Sequence, residues 1–218
     1  MTEQLTHSAT LPAIRVRPLL TAGVVAGPLY VVVALAQAFT REGFDLTRHS
    51  WSLLANGDLG WIQSANFVVT ALATIACAAG LRRALSPGRW ASRLVGAFGV
   101  SMIGAAIFPA DPAMGFPAGT PEGPGVITMS GIGHLAVGAV GFLCMVAACY
   151  VVASRFSREG RRGWAVYSRV TCTLFLGSFV GIASGGGAAW TTIAFVVGIL
   201  AIWTWLSLLS LNLSRNAA

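Results

Sequence analysis

The stretch LLTAGVVAGPLYVVVALAQAF, residues 19–39, decides the fold class. It carries no charged residue, and its length matches the roughly 20 residues that an α-helix needs to cross the hydrocarbon core of a bilayer. Pro28 lies inside the stretch, where neighbouring transmembrane helices accommodate the bend that a proline introduces. The stretch therefore predicts a transmembrane helix.

Five further apolar stretches repeat this pattern, at residues 61–81, 94–108, 132–153, 170–184 and 190–211. The chain is 56% hydrophobic and only 10% charged, whereas soluble domains are usually about a quarter charged. The sequence therefore predicts an all-α, polytopic membrane bundle of six helices. We expect one domain, 19–211, between tails at 1–18 and 212–218.

The first apolar run also precedes a small-residue pattern, Ala34-Leu35-Ala36, of the kind that signal peptidases cleave. The run is longer than the roughly 7–15 apolar residues of a signal peptide. We therefore expect a first helix that is retained.

The basic residues predict the orientation of the bundle. All 14 are arginines, and the formal net charge is +7. They concentrate in the connections after the second and fourth stretches: Arg82, Arg83, Arg89, Arg93, Arg155, Arg158, Arg161, Arg162 and Arg169. The positive-inside rule then places these connections and both tails in the cytoplasm. We expect a multi-pass protein of the cell membrane that contacts anionic lipid headgroups and does not bind nucleic acid.

The four cysteines, Cys77, Cys144, Cys149 and Cys172, all lie inside apolar stretches. None belongs to a Cys/His pattern of the kind that binds zinc or performs redox chemistry. We expect no cofactor, no sulfur-bound metal and no disulfide.

Polar residues gather in the connections on the opposite side from the arginines. The candidate catalytic residues there are Asp58, Asp111, His134 and His49, because an ionisable group at the edge of the hydrocarbon usually serves a function. Structural alternatives remain: Asp58 caps a helix, Asp111 forms a turn, His49 is a surface residue and His134 is a packing residue. We expect Asp58, Asp111 and His134 to form one hydrogen-bonded cluster, since a carboxylate is the natural partner for the imidazole.

Candidate substrate-binding residues follow in the same region: Trp51, Ser52, Trp61 and Asn66. Tryptophans at this depth also form interfacial belts that bind no substrate. Both interpretations stay open at Trp51 and Trp61.

Three separated segments resemble a known family. They are HSWSLLANGDLGWIQSANFVVT at 49–70, FPADPAMG at 108–115, and Gly131-x-x-His134. Together they resemble the bacterial six-helix membrane family catalogued as domain of unknown function 998, over nearly the whole chain. The resemblance assigns no activity, but it implies that seven residues occupy motif positions: His49, Ser52, Asp58, Trp61, Asn66, Asp111 and His134.

Two classes of function fit these residues. The first is a membrane-embedded enzyme that acts on a lipid or isoprenoid by carboxylate and histidine acid–base chemistry. One version is proton-initiated cyclisation, with aromatic faces stabilising a cation, and another is hydrolysis at a metal held by His49, His134 and an aspartate. The second class is a small transporter or a partner-binding membrane protein, although ionisable residues near the bilayer midplane, typical of transporters, are missing.

The orientation is testable with topology reporters. We predict that fusions after Arg89 and after Arg161 are cytoplasmic, because arginine-rich loops resist translocation. A fusion after Gly119 should be external. An external reporter at Arg89 would reverse the whole assignment.

Overall fold

The computed structural model describes residues 16–184 and 187–216. Within these ranges the chain forms six long helices: α1 Val16–Thr40, α2 Gly60–Ala84, α3 Trp90–Ile107, α4 Met129–Arg158, α5 Arg162–Ser184 and α6 Ala189–Arg215. A short 3-10 helix, Trp51–Ala55, lies between α1 and α2. Each long helix is apolar enough and long enough to cross a membrane, which confirms the predicted all-α bundle of six spans.

The helices extend beyond the apolar stretches that predicted them. α4 continues to Arg158, and α5 begins at Arg162 instead of near residue 170, so the arginine-rich connection between them is short. α6 continues to Arg215, past the predicted boundary at residue 211. Long arginine side chains reach from a helix end to the headgroups, so a helix need not stop where its apolar sequence stops. Of the predicted tail 1–18, residues 16–18 belong to α1, and residues 1–15 lie outside the described residues.

The six helices form a closed ring. Each helix packs against its neighbours in the chain, and α6 packs against α1. Successive helices run in opposite directions, so the connections 41–59, 108–128 and 187–188 lie at one end, here called the cap end. The arginine-rich connections lie at the other end, here called the arginine end.

At the arginine end, arginine side chains donate hydrogen bonds to backbone and side-chain oxygens of neighbouring elements. Arg155 donates to the carbonyls of Leu85 and Ser86, which ties the α2–α3 connection to α4. Arg161 donates to the Asn212 side chain of α6 at 2.6 Å. These arginines therefore hold the fold together, in addition to any contact with headgroups.

Glycines bring α1 close to α6 where the ring closes. A Cβ atom added at Gly27 would lie 2.9 Å from the Trp203 carbonyl oxygen and 2.8 Å from Ser207 Oγ. Small residues at such positions let transmembrane helices approach closely. Gly177 of α5 differs, because an added Cβ there meets open space.

These two glycines give a matched pair of variants. We predict that Gly27→Ala lowers the free energy of unfolding by about 1–3 kcal/mol, because backbone atoms must move to admit the methyl group. Gly177→Ala should be neutral or slightly stabilising, as expected for an exposed helix position. Thermal unfolding of both purified variants measures the difference, and equal melting temperatures would contradict the close approach at Gly27.

Candidate ligand-binding cavity

The ring encloses a cavity of about 250 Å³. All six helices and the short 3-10 helix contribute to its wall. Eight aromatic side chains line it: Tyr30, Trp51, Phe67, Phe98, Phe142, Phe179, Phe195 and Trp203. The cavity runs from the cap end to about the middle of the bundle, since Phe98, Phe142 and Trp203 lie near the centres of their helices.

Few polar groups interrupt this aromatic wall. They belong to the side chains of His134, Ser50, Ser52, Ser101, Tyr30, Trp51 and Trp203. Trp51 is buried, and its Nε1–H finds no hydrogen-bond partner among the described residues. No Asp, Glu or Arg of the described chain belongs to the wall. The cavity is therefore apolar and carries no fixed charge.

His134 is the titratable imidazole on the wall. Its Nδ1 lies 2.8 Å from the carbonyl oxygen of Phe108, the residue that follows α3. A carbonyl only accepts, so Nδ1 carries the proton and Nε2 keeps the lone pair. The predicted hydrogen bond from His134 to a carboxylate is wrong, because the end of α3 supplies a backbone acceptor that is closer.

Asp111 sits over the first turn of α4. Its carboxylate accepts hydrogen bonds from the Thr128 backbone N–H at 2.8 Å and from Thr128 Oγ1 at 2.5 Å. Thr128 is the N-cap residue, and its hydroxyl also accepts from Gly131 N–H. The Thr128 hydroxyl and then its amide lower the pKa of Asp111. Asp111 interacts with His134 only through charge, so its direct contacts are those of a helix-capping carboxylate.

Asp58 lies apart from this pair. It interacts electrostatically with Arg41. The start of α2 shows no side-chain cap, so Asp58 forms no capping hydrogen bond, and the favourable interaction of its charge with the start of the helix stays a prediction. The predicted three-residue hydrogen-bonded cluster is not formed. The reason is that each member has a different partner. His134 bonds to the Phe108 carbonyl, Asp111 bonds to Thr128, and Asp58 interacts with Arg41.

His49 joins two of the cap-end connections. It is buried, with 2% of its surface exposed, so it is not a surface residue. Nδ1 accepts from the Asp45 backbone N–H at 2.9 Å, and Nε2 lies 2.9 Å from the Met114 carbonyl oxygen, to which it donates. Nδ1 therefore holds His49 within its own loop, 41–59, and Nε2 connects that loop to loop 108–128.

A small aromatic core surrounds His49. Its ring contacts Phe44 and Phe116 with centroids 5.2 and 5.5 Å away. Arg41 lies over the Phe116 ring and donates to the carbonyls of Leu54 and Asn56 at 2.6 Å each. The two loops thus form one packed unit, here called the cap.

The four substrate-binding candidates divide among three locations. Trp51 and Ser52 line the cavity from the cap. Trp61 is 66% exposed on the outside of the ring. Asn66 is buried outside the cavity wall and donates to the Tyr30 carbonyl at 3.1 Å. The structure therefore brings Trp51, Ser52 and His134 together and leaves Asp58, Asp111, His49, Trp61 and Asn66 away from the wall.

Sequence reasoning missed a buried pair of amides. Gln37 of α1 donates to Gln63 of α2 at 2.8 Å, and Gln63 also accepts from Asn66 at 3.3 Å. Gln37 Oε1 and Gln63 Nε2 have no partner among the described residues. A signal existed, since a glutamine within an apolar span is costly unless it bonds to another helix.

The motif segments now have positions in the fold: 49–70 forms part of the cap and the first half of α2, 108–115 covers the end of α3, and 131–134 opens α4. A family model described as "Protein of unknown function (DUF998)" matches residues 24–212. The chain belongs to the DUF998 family.

The DUF998 match covers most of α1 and α6, all of the four helices between them and every residue of the cavity wall. It confirms the resemblance found in the sequence. No curated protein and no solved structure matches the chain. Membership of DUF998 thus supports the six-helix architecture and assigns no activity.

The cap offers a test of what His49 does. We predict that His49→Ala lowers the free energy of unfolding by about 2–3 kcal/mol, because the part-buried Asp45 N–H and Met114 carbonyl lose their partner and the buried ring leaves its place beside Phe44 and Phe116. The neighbouring Arg48, whose ion pair with Glu122 is exposed, is the matched control. Arg48→Ala should cost less than about 1 kcal/mol.

Thermal unfolding in detergent measures both changes. A His49→Ala protein as stable as the Arg48→Ala protein would show that the hydrogen bonds and ring contacts of His49 do not hold the cap.

Proposed function

We propose that this protein binds one apolar molecule with a polar end group, of isoprenoid or acyl type, inside the helix ring. His134 then accepts a proton from that end group. The observation that carries the proposal is the uncharged aromatic cavity with a single imidazole on its wall. Membrane lipids and a hydrophobic small molecule are accordingly its partners. The cell membrane is the expected location.

The size of the cavity sets the scale of the ligand. Apolar cavities of about 150 Å³ stay dry and bind benzene, so by proportion a cavity of 250 Å³ accommodates about ten carbon atoms. Aromatic walls also attract positive charge. Two five-carbon isoprenoid units fit this volume, and their apolar surface suits the aromatic wall.

The polar end of the ligand belongs near the cap. His134, Ser50, Ser52 and Trp51 all lie toward that end of the cavity. The Trp51 indole N–H has no partner within the described residues, and an unsatisfied buried donor costs about 1–3 kcal/mol. Because this nitrogen is itself buried, a hydroxyl or carbonyl oxygen on the ligand would remove that cost after a small rotation of the indole toward the cavity.

His134 is suited to acid–base work at this end. The Phe108 carbonyl holds Nδ1–H, which fixes the tautomer and leaves Nε2 to accept a proton from a ligand hydroxyl. No carboxyl group of the described residues lines the cavity. Proton-initiated cyclisation, which needs a strong acid beside the alkene, is therefore less well supported than proton abstraction by His134.

A non-enzymatic binding protein is the alternative. The same cavity would then store or carry the molecule, and His134 would serve only to donate a hydrogen bond to the Phe108 carbonyl at the end of α3. The two functions share the binding step and differ in what the Nε2 lone pair does.

Binding is tested with photoreactive decan-1-ol added to the protein in lipid nanodiscs. We predict that irradiation labels cavity residues such as Met102, and that Ala105→Phe, which fills the cavity, abolishes the labelling. Ala136→Phe, at an exposed position of α4 outside the wall, is the matched control and should label normally. Equal labelling of both variants would place the ligand elsewhere.

Recognition of the oxygen is tested at Trp51. Trp51→Phe should weaken binding of decan-1-ol about five- to tenfold, as expected for one hydrogen bond. Binding of n-decane should not change. An equal loss for both ligands would mean that the indole contributes packing alone.

The enzymatic step is tested with His134→Asn. The asparagine amide can still donate to the Phe108 carbonyl, but it has no group equivalent to Nε2. Mass spectrometry of lipid extracts from expressing membranes should show that a product formed by the wild type falls about 10²- to 10⁴-fold, the usual contribution of a general base, while the melting temperature is kept. Full activity in this variant would favour the binding protein.

A further inference from the structure

The cavity is not closed on every side. The lining residues on α1 and α2, Tyr30 and Phe67, are buried. Two lining residues are exposed instead: Leu135 of α4, 67% exposed, and Ala183 of α5. The cavity therefore reaches the surface of the ring between α4 and α5.

Small residues keep this gap open. Gly138 and Ala139 line the cavity on α4, and a Cβ atom added at Gly138 would meet nothing within 4 Å. Farther from the cap the gap closes, because Phe142 and Phe179 meet edge to face with centroids 5.2 Å apart. The opening thus occupies the half of the α4–α5 seam nearer the cap.

The position of the opening determines what it faces. Gly138 lies nine residues into α4, so the opening extends about 13 Å from the cap end of that helix, within the depth of one leaflet's hydrocarbon. Its rim residues Leu135, Gly138, Ile182 and Ala183 are all apolar. An apolar rim at this depth faces lipid chains and not water.

We propose that the ligand is a single-chain lipid longer than the cavity, with its polar end and about ten carbons inside the ring and its tail passing between α4 and α5 into the bilayer. This inference rests on the proposed function and specifies its substrate class: an isoprenoid alcohol with a chain longer than the roughly ten carbons that the cavity holds. The small residues at the opening, and not the volume of the cavity, then decide which chain lengths bind.

The test compares two probes, geraniol with ten carbons and geranylgeraniol with twenty, by their displacement of photoreactive decan-1-ol in nanodiscs. The variants are Gly138→Phe and Ala183→Trp, which fill the opening from either side. Gly177→Phe is the matched control, because it adds the same bulk to the exposed surface of α5, where there is open space.

We expect the wild type and Gly177→Phe to bind both alcohols. Gly138→Phe and Ala183→Trp should weaken geranylgeraniol binding by about tenfold or more and keep geraniol binding within about threefold. The reason is that only the longer alcohol passes through the opening.

Retained geranylgeraniol binding in both filled variants would overturn the inference, as would an equal loss of both alcohols. A wild type that binds geraniol and rejects geranylgeraniol would show a closed cavity. Failure of the wild type to bind either alcohol or decan-1-ol would instead contradict the proposed function itself.

Discussion

The hydrocarbon core of a bilayer offers no hydrogen-bond partner to the peptide backbone, and the rest of the structure depends on this constraint. It forces every crossing segment into a helix and leaves the irregular backbone at the ends of the ring. α3 is the shortest of the six helices, and the carbonyl of Phe108 beyond it needs a donor. His134 supplies that donor, so satisfying the backbone also brings an imidazole onto the cavity wall.

In the cap, too, side chains supply hydrogen bonds to backbone groups that no helix satisfies. Arg41 and His49 direct their hydrogen bonds to backbone groups of the loops, so that two irregular segments pack as a unit around Phe116. That packing places the short helix carrying Trp51 and Ser52 over one end of the cavity. Charged and polar residues that looked catalytic in the sequence thus build the support for the wall.

Helix number, fold class and family could be predicted because each depends on local sequence: apolar length for the spans, and short motifs for the family. The partners of His134 and Asp111 could not be predicted. His134 bonds to a main-chain carbonyl, which every residue type carries, and Asp111 bonds to Thr128, which is 17 residues away in the sequence. The location of Asn66 shows the same limit. Its motif position indicated importance, but only the packing of α1 against α2 shows that it faces Tyr30 backbone and Gln63 instead of the cavity.

Because α1 packs against α6, the same ring could be built with a different order of helices along the chain. Arg17 and Thr21 of α1 and Ser214 and Arg215 of α6 line one groove at the arginine end, so these two helices adjoin as closely as helices that a loop connects. A short linker between them would complete a circular chain. The same ring could then be cut open in an arginine-end connection, giving a permuted protein in which α3 or α5 comes first and the cavity wall keeps every neighbour it has now.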